Sequence, residues 1–444
     1  MCIAYWQAYT KNRVVYFKEL FKMNISQENI NYIRFAFSKI KCKEDLLDLM
    51  NYVKPLIYGE KSTSFELKQL TYYSNPNANT KRYYSFEIKK KTVGIRTIHA
   101  PVAGLKAIQK CINLILQVVF TPHEAATGFV LNKSIVHNAH IHTGSVYVFN
   151  IDLKDFFPSI DQARVWRTLQ LPPFNLGSKT VSSDKKTNLN EATNVNLERL
   201  KINNIISAII CFEMEVERLN ENGEWILQTK NVLPQGAPTS PTITNIVCQR
   251  LDYILTGVAK RFGLKYSRYA DDITFSSQHN VFQKNSDFTN ELHRVINDQK
   301  FHIKETKTRL QKQGFRQEVT GLIVNKKVNV PIRYIKKLRV WLHRWELMGY
   351  QKAEQLFLRD YFGEKGKPFK GAPSMANIIS GKLLYLSMVR GIDDERYKML
   401  KKRFEKLKGN NDIESNKQIF IDLDSALAML KNEGLEKARK LFPL

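Results

Sequence analysis

Acidic side chains are scarce in this sequence, and neither a disulfide-forming nor a membrane-spanning pattern is present. Its 444 residues carry 42 Asp and Glu against 69 Lys and Arg, a formal net charge of +27. So basic a chain implies a polyanionic partner, nucleic acid first and an anionic membrane surface second. No apolar run approaches the roughly 18 residues needed to span a bilayer. The opening MCIAYWQAYTKNRVVYFKELFK lacks a basic stretch followed by an apolar one and a small-residue cleavage site, so no secretory signal is expected. The five cysteines, Cys2, Cys42, Cys111, Cys211 and Cys248, are odd in number, scattered and without a CxxC pair. This excludes a disulfide framework and a cysteine zinc site, and points to a reducing, cytoplasmic setting. What is present, 43% hydrophobic and 11% aromatic residues, suits a globular chain long enough for two or three domains.

Residues 1 to about 80 read as mostly helical: Ser26 is a capping residue, and Ile30, Ile33, Phe37 and Ile40 recur at helical spacing. From Tyr83, YYSFEIKKKTVGIRTIHAP alternates as two strands around Gly94, and LKAIQKCINLILQVVF then predicts an amphipathic helix. SVYVFNIDL, Ser145 to Leu153, is a continuous apolar run ending in an acid, the pattern of a buried strand that delivers a side chain to a cleft. Residues 174–196 are polar and predict an inserted loop, and MEVERLNENGEWILQTKNV predicts a hairpin turning at Asn222-Gly223. Basic helices follow Val330, then a polar linker from Gly409 and a helical tail. The expected division is 1–80 helical, 81–330 the central domain, 331–408 a helical domain and 409–444 the tail.

The chemistry centres on SRYADDITFSS. Asp271 and Asp272 sit between two strand-like stretches, so they belong to a hairpin tip, and a third acid, Asp152, ends another strand. Carboxylates clustered without His or Cys favour hard cations, Mg²⁺ or Mn²⁺. Two such ions clamp the attacking and leaving oxygens of an in-line phosphoryl displacement, and their charge relieves the repulsion between neighbouring acids.

Three segments in order, FNIDLKDFFPSI (Phe149 to Ile160), LPQGAPTSPTITNIVCQRLD (Leu233 to Asp252) and YADD (Tyr269 to Asp272), resemble the sequential motifs of reverse transcriptases. NAHIH, Asn138 to His142, and VTGLIVN, Val319 to Asn325, are similar to the NAxxH and VTG patterns of bacterial retron-type reverse transcriptases. The resemblance implies an α+β right-hand polymerase, with fingers, an antiparallel palm sheet backed by helices, and a helical thumb. It implies an RNA-directed DNA polymerase that copies a structured non-coding RNA into a short RNA-linked single-stranded DNA and serves in anti-phage defence. Its expected partners are that RNA and its DNA product, deoxynucleoside triphosphates and a separately encoded effector, with no membrane.

By the same resemblance Asp152, Asp271 and Asp272 are the catalytic acids and, with the Leu153 carbonyl, hold two Mg²⁺ ions. Phe157 lies under the sugar, where a bulky ring disfavours a ribose, although either Phe156 or Phe157 suits a core. Gln235, beside Gly236, resembles a nucleotide contact. Arg96 and Lys91 resemble triphosphate-binding residues, with Lys89 and Lys90 as alternatives to Lys91. Lys307 of KETKT resembles a lysine near the leaving pyrophosphate, and a solvated lysine in a basic stretch remains open.

His137, His140 and His142 lack a fourth ligand of suitable spacing, so zinc is not expected. Asn138 and His142 share a helix face and form either a structural or an RNA-contacting pair. Arg333, Lys336, Lys337 and Arg339 are expected along RNA phosphates, whereas Trp341 and Trp345 are expected in the core. The span from Ile160 to Leu233 and the tail beyond Gly409 are longer than the resemblance requires. No ribonuclease H constellation is legible. The competing readings are another defence-associated or intron-type reverse transcriptase and a non-catalytic RNA-binding scaffold.

Overall fold

The computed structural model describes residues 25–75, 82–89, 94–177, 189–365 and 371–409. Lys91, most of the 174–188 segment and the tail beyond 409 lie outside these residues. The chain divides into two compact units, one running to Thr320 with Val324–Lys326, the other comprising Gly321–Ile323 and the residues from Lys327 onward.

The first unit opens with α1 (Gln27–Lys39), α2 (Lys43–Tyr58) and α3 (Leu67–Ser74). Ser26 caps α1 by accepting the Asn29 N–H, 3.2 Å away, and Ile33 and Phe37 turn inward as the spacing predicts. A hairpin of β1 (Tyr83–Lys89) and β2 (Ile95–Pro101) leads into α4 (Ala103–Val119). α4 is buried on more of its circumference than an amphipathic pattern implies, because helices pack around it. Even Gln109 is inside, donating to the Tyr83 hydroxyl (2.7 Å) and the Ile209 carbonyl (2.9 Å).

Then come α5 (Ile135–Ile141), β3 (Tyr147–Asp152), α6 (Gln162–Gln170) and α7 (Leu189–Ile210). α7 corrects the expected loop over 174–196, because its last residues there are helical. Ile202, Ile206, Ile209 and Ile210 anchor α7 in the core. Once a helix is nucleated, each further residue adds a hydrogen bond at little cost, so the polar LNEATNVN start follows. β4 (Phe212–Leu219) and β5 (Trp225–Val232) form the expected hairpin, with Gly223 at φ +79° in its loop.

α8 (Ser240–Arg261), β6 (Lys265–Tyr269), β7 (Asp272–Ser277), α9 (Asp287–Asp298) and β8 (Arg309–Lys312) follow in this unit, with a short strand, Glu318–Val319, after them. A four-stranded antiparallel sheet in the order β6-β7-β3-β8 forms its centre. α8 and α9 cover one face, where Phe275 meets Phe288 edge-on at 5.0 Å and stacks with Tyr266 at 5.0 Å. In β3 every residue from Val148 to Asp152 is buried, as a central strand requires.

The second unit is helical: α10 (Ile332–Lys365), broken at Gly349 where φ is +72°, α11 (Met375–Arg390) and a helix over 395–409. Tyr334, Ile335, Leu338, Leu342 and Trp345 face inward, and Trp341 packs edge-on against Phe357 at 4.9 Å. No helix among the described residues is long and apolar enough to cross a membrane.

Candidate active site

β3 and β7 pair with Asp152 opposite Asp272. This is a non-hydrogen-bonded pair, the closer of the two antiparallel types, because the next residue, Leu153, donates its N–H to the Asp271 carbonyl at 3.1 Å. The β6–β7 turn is only Ala270-Asp271, with Ala270 in the left-handed region at φ +61°. Asp152 and Asp272 therefore lie opposite each other where two strands end, and Asp271 of the turn is near enough for their charges to act on it.

Their charges reveal the cost. Burial, then the neighbouring Asp152 carboxylate, raises the pKa of Asp271, and Asp272 is raised by burial and by both other acids. The counter-charges are basic. Lys307, in a single helical turn (Glu305–Lys307), donates to Asp152 at 2.7 Å. Burial pulls the Lys307 pKa down, but the hydrogen bond and charge of Asp152, with Asp271 and Asp272 behind it, outweigh this and raise it. Arg96 of β2 lies within reach of the fields of Asp271, Asp152 and Asp155, and Arg309 of β8 acts on Asp272.

This donor set fits a hard divalent cation. Among the described residues no group of three or more His, Cys, Asp or Glu side chains is placed to hold a metal ion. Mg²⁺ seldom needs such a cage, since it binds through one or two carboxylates and keeps water and substrate phosphate as its other ligands. The Asp271 N–H turns to its own carboxylate.

A stability test follows. The folded metal-free protein holds the Asp271 and Asp272 protons more tightly than the unfolded chain, so its stability falls as pH rises above the ordinary carboxylate range. Mg²⁺ is therefore expected to raise the melting temperature more at about pH 8 than at about pH 5. Calorimetric scans at both pH values check this, and an equal rise at both refutes it.

Phe156 is 4% exposed and belongs to the core, whereas Phe157 is half-buried, with its ring 6.1 Å from Phe129. Gln235 is half-buried, and its carbonyl accepts the His99 N–H at 2.9 Å, tying the Gln235-Gly236 loop to the strand that carries Arg96. Gly236 has φ +128°, and a Cβ there would lie 2.5 Å from the His99 carbonyl oxygen and 2.9 Å from Ile98. Gly236→Ala is thus expected to cost about 1–3 kcal/mol in strain and displacement and to raise the KM for incoming nucleotide. An unchanged KM at unchanged stability would show that this contact is unimportant.

The structure corrects one pair of site residues. Asn138 and His142 are fully buried, so neither side chain can touch RNA. They lie instead in a hydrogen-bonded chain behind the Asp271 turn. Ser267 donates to Asn138 Oδ1 at 2.7 Å, which leaves its oxygen to accept from His142 Nε2, also at 2.7 Å. Ser145 donates to Ser276 at 3.1 Å, and Ser276 to His142 Nδ1 at 2.8 Å. His142 is therefore neutral with its proton on Nε2, and burial drives its pKa down to about 3. Val319 of the VTG segment is buried, and the Thr320 hydroxyl donates to the Ile135 carbonyl at the start of α5.

In the second unit Arg333, Lys336 and Arg339 are exposed on α10, while Lys337 pairs with Glu364. Sequence reasoning missed Asn245, Asp252 and Arg268, buried polar residues around the same turn. The signal was available in β6, where strand alternation puts Arg268 on the face opposite Ser267.

The family pattern described as "Reverse transcriptase (RNA-dependent DNA polymerase)" matches residues 88–335, more than half of the chain. The retron Mx162 reverse transcriptase of Myxococcus xanthus is 34% identical over 277 residues, 59% of this chain and 52% of that protein. The retron Mx65 reverse transcriptase of the same organism is 32% identical over 284 residues, 62% of this chain and 59% of that protein. The retron Ec86 reverse transcriptase of Escherichia coli is 31% identical over 266 residues, 59% of this chain and 69% of that protein. The chain thus spans little more than half the length of the first two. Among solved structures, telomerase from Candida albicans with a telomeric RNA fragment aligns over 73% of this chain and 63% of that one, at 12% identity and TM-score 0.38, a likeness too loose to bear on the argument. On the extent of the family match and the identity to these relatives, the chain belongs to the reverse transcriptase (RNA-dependent DNA polymerase) family, among its bacterial retron-type members.

Proposed function

We propose that the protein is an RNA-directed DNA polymerase that copies a structured non-coding RNA into a short single-stranded DNA joined to that RNA. The observation that carries this reading is the meeting of Asp152, Asp271 and Asp272 at the paired ends of β3 and β7, faced by Lys307 and Arg96. A primer hydroxyl oxygen attacks the α-phosphorus of a deoxynucleoside triphosphate and gives up its proton to water, the new P–O bond forms as the bond from that phosphorus to the oxygen bridging to the β-phosphate breaks, and pyrophosphate leaves. Asp152, Asp271 and the Leu153 carbonyl, with Asp272 alongside, would hold divalent ions, which would supply stabilisation of the charge that develops on phosphorus.

The remaining work falls to the chain. Arg96 suits bidentate contact with the triphosphate, and Lys91 of the same segment is its proposed companion. Gln235 contacts the incoming nucleotide, and the half-buried Phe157 lies under its sugar. Lys307 holds its proton within reach of the reacting phosphates and donates it to the leaving group. Arg333, Lys336 and Arg339 present charge to the RNA backbone, with Lys337 weakened in that role by Glu364. The family resemblance carries the further expectation that the first primer is a 2′-hydroxyl of the RNA and that the product serves in anti-phage defence.

The test is to purify the protein with its native nucleic acid, sequence what is bound, and assay extension on that RNA. A covalently branched RNA–DNA and Mg²⁺-dependent extension are expected. Bound RNA of random origin with no DNA product, and no extension with Mg²⁺ or Mn²⁺ on several templates, would overturn the reading in favour of an RNA-binding scaffold.

A further inference from the structure

The turn that presents Asp271 and Asp272 is held from behind by a circuit of buried polar groups. Arg268 and Asp252 have no exposed surface. Arg268 Nε donates to Asp252 Oδ1 at 2.8 Å and Nη2 to Oδ2 at 2.6 Å, a two-pronged pairing of guanidinium and carboxylate. Tyr266 adds a hydroxyl to Asp252 Oδ1 at 2.7 Å. The guanidinium has donors left over, and they reach two further places. Nη2 donates to Asn245 Oδ1 at 3.1 Å, and Nη1 to the carbonyl of Ala270 at 3.2 Å.

Asn245 then donates to the Gly128 carbonyl at 2.9 Å. Gly128 lies against the other side of the turn, where a Cβ would fall 2.5 Å from the Ala270 nitrogen. Ala270 is thus gripped at both its N–H side and its carbonyl. The Arg268 backbone is fixed as well, its N–H on Ala125 and its carbonyl on Thr127, both at 2.8 Å.

Stability alone does not account for this circuit. A fully buried ion pair contributes little net stability, since desolvating both charges offsets their attraction. Geometry does account for it. An alanine at φ +61° is in an unfavourable conformation, and such a residue persists only where its surroundings over-determine it. If Ala270 relaxed, the directions of the next two side chains, Asp271 and Asp272, would change with it.

We propose that Arg268, set by Asp252 and Asn245 of α8, is the positioning residue that fixes the Ala270 turn and so aims Asp271 and Asp272 at the ion they share with Asp152. This rests on the polymerase reading above for the identity of the ion site, and extends it. α8 follows directly on the Gln235-Gly236 loop, so the same helix ties the proposed nucleotide contact to the metal-binding turn.

The test uses the full chain and two variants, with one measurement that does not depend on turnover. Arg268→Lys keeps a charge on Asp252 but loses the fork that reaches Ala270 and Asn245. Asn245→Ala leaves the Arg268–Asp252 ion pair whole and removes both the acceptor of Arg268 Nη2 and the link to Gly128, and it decides the matter if the first variant fails to fold. Mn²⁺ binding is followed by electron paramagnetic resonance on the complex with RNA template, chain-terminated primer and incoming nucleotide. The Mg²⁺ half-saturation for single-nucleotide incorporation, primer–template affinity and melting temperature are measured alongside.

Both variants are expected to weaken Mn²⁺ binding and raise the Mg²⁺ half-saturation together, by about 10- to 100-fold for Arg268→Lys and less for Asn245→Ala, with primer–template affinity unchanged. Metal affinities within about twofold of wild type in a folded variant would overturn the proposal, as would a loss of incorporation without a loss of metal affinity. If wild type binds Mn²⁺ in a manner abolished by Asp271→Asn yet incorporates no nucleotide, the polymerase reading fails, while Mn²⁺ binding by the variants still decides the positioning role. If wild type binds no Mn²⁺ at Asp271, the positioning role fails too.

Discussion

Asp271→Asn is expected to cut RNA-templated nucleotide incorporation by about 10³-fold or more. A metal ion acting on a phosphoryl oxygen is worth several kcal/mol of transition-state stabilisation, and each 1.36 kcal/mol or so is tenfold in rate. The substitution keeps the shape of the side chain and removes the charge that the ion needs. It should also relieve the repulsion between Asp271 and its two acidic neighbours, so the metal-free variant is expected to be no less stable than wild type. This opposition, activity lost and stability held, separates a chemical role from a structural one. Primer-extension rates and melting curves on the same preparations check it. Retention of more than a tenth or so of the wild-type rate would show that Asp271 is not a metal ligand.

His142→Ala is expected to do the reverse and act through stability, costing about 3–5 kcal/mol. The substitution leaves a cavity in the fully buried site and strips Ser267 and Ser276 of their shared partner. Urea denaturation measures this, and a loss below about 1 kcal/mol would refute the account of the serine chain.

The histidine also makes stability depend on pH, with a definite sign. Its folded pKa, depressed to about 3, lies below its ordinary value of 6.5, because burial penalises the charged ring and Lys265 adds to the penalty. The unfolded chain therefore takes up a proton that the folded chain refuses. The stability that neutral His142 confers is complete above about pH 6.5 and drains away as pH falls towards about 3. Wild type should lose more stability than His142→Ala across that window. The serines bonded to His142 lie on β6 and β7, either side of the Asp271 turn, so a surviving variant should also incorporate nucleotide more slowly.

Much of the site was legible because its signals are local. A carboxylate that ends an apolar run, a second acid pair between alternating stretches, and a Gly beside a Gln after a proline are each patterns of a few residues. Strand periodicity then places them at strand ends. The hairpins β1–β2, β4–β5 and β6–β7 were readable for the same reason. Helix extent was less so. The polar start of α7 carries no apolar stripe, and its helicity comes from residues further along that pack in the core.

Charge and motif order, read from the sequence by itself, pointed to a polyanionic partner and marked three ordered segments of a nucleotidyl-transferring family. They also singled out the acids, because residue type and spacing suffice to specify a strand end that bears a carboxylate. Which polar residues face solvent and which are sealed inside was decided only by the tertiary structure. Asn138 and His142 share a helix face whether that face meets RNA or a sheet, and nothing in their spacing distinguishes the two. Strand alternation assigns Arg268 to one face of β6, but nothing in the sequence pairs it with Asp252. Burial depends on what the rest of the chain places against a residue, and those partners are distant in sequence.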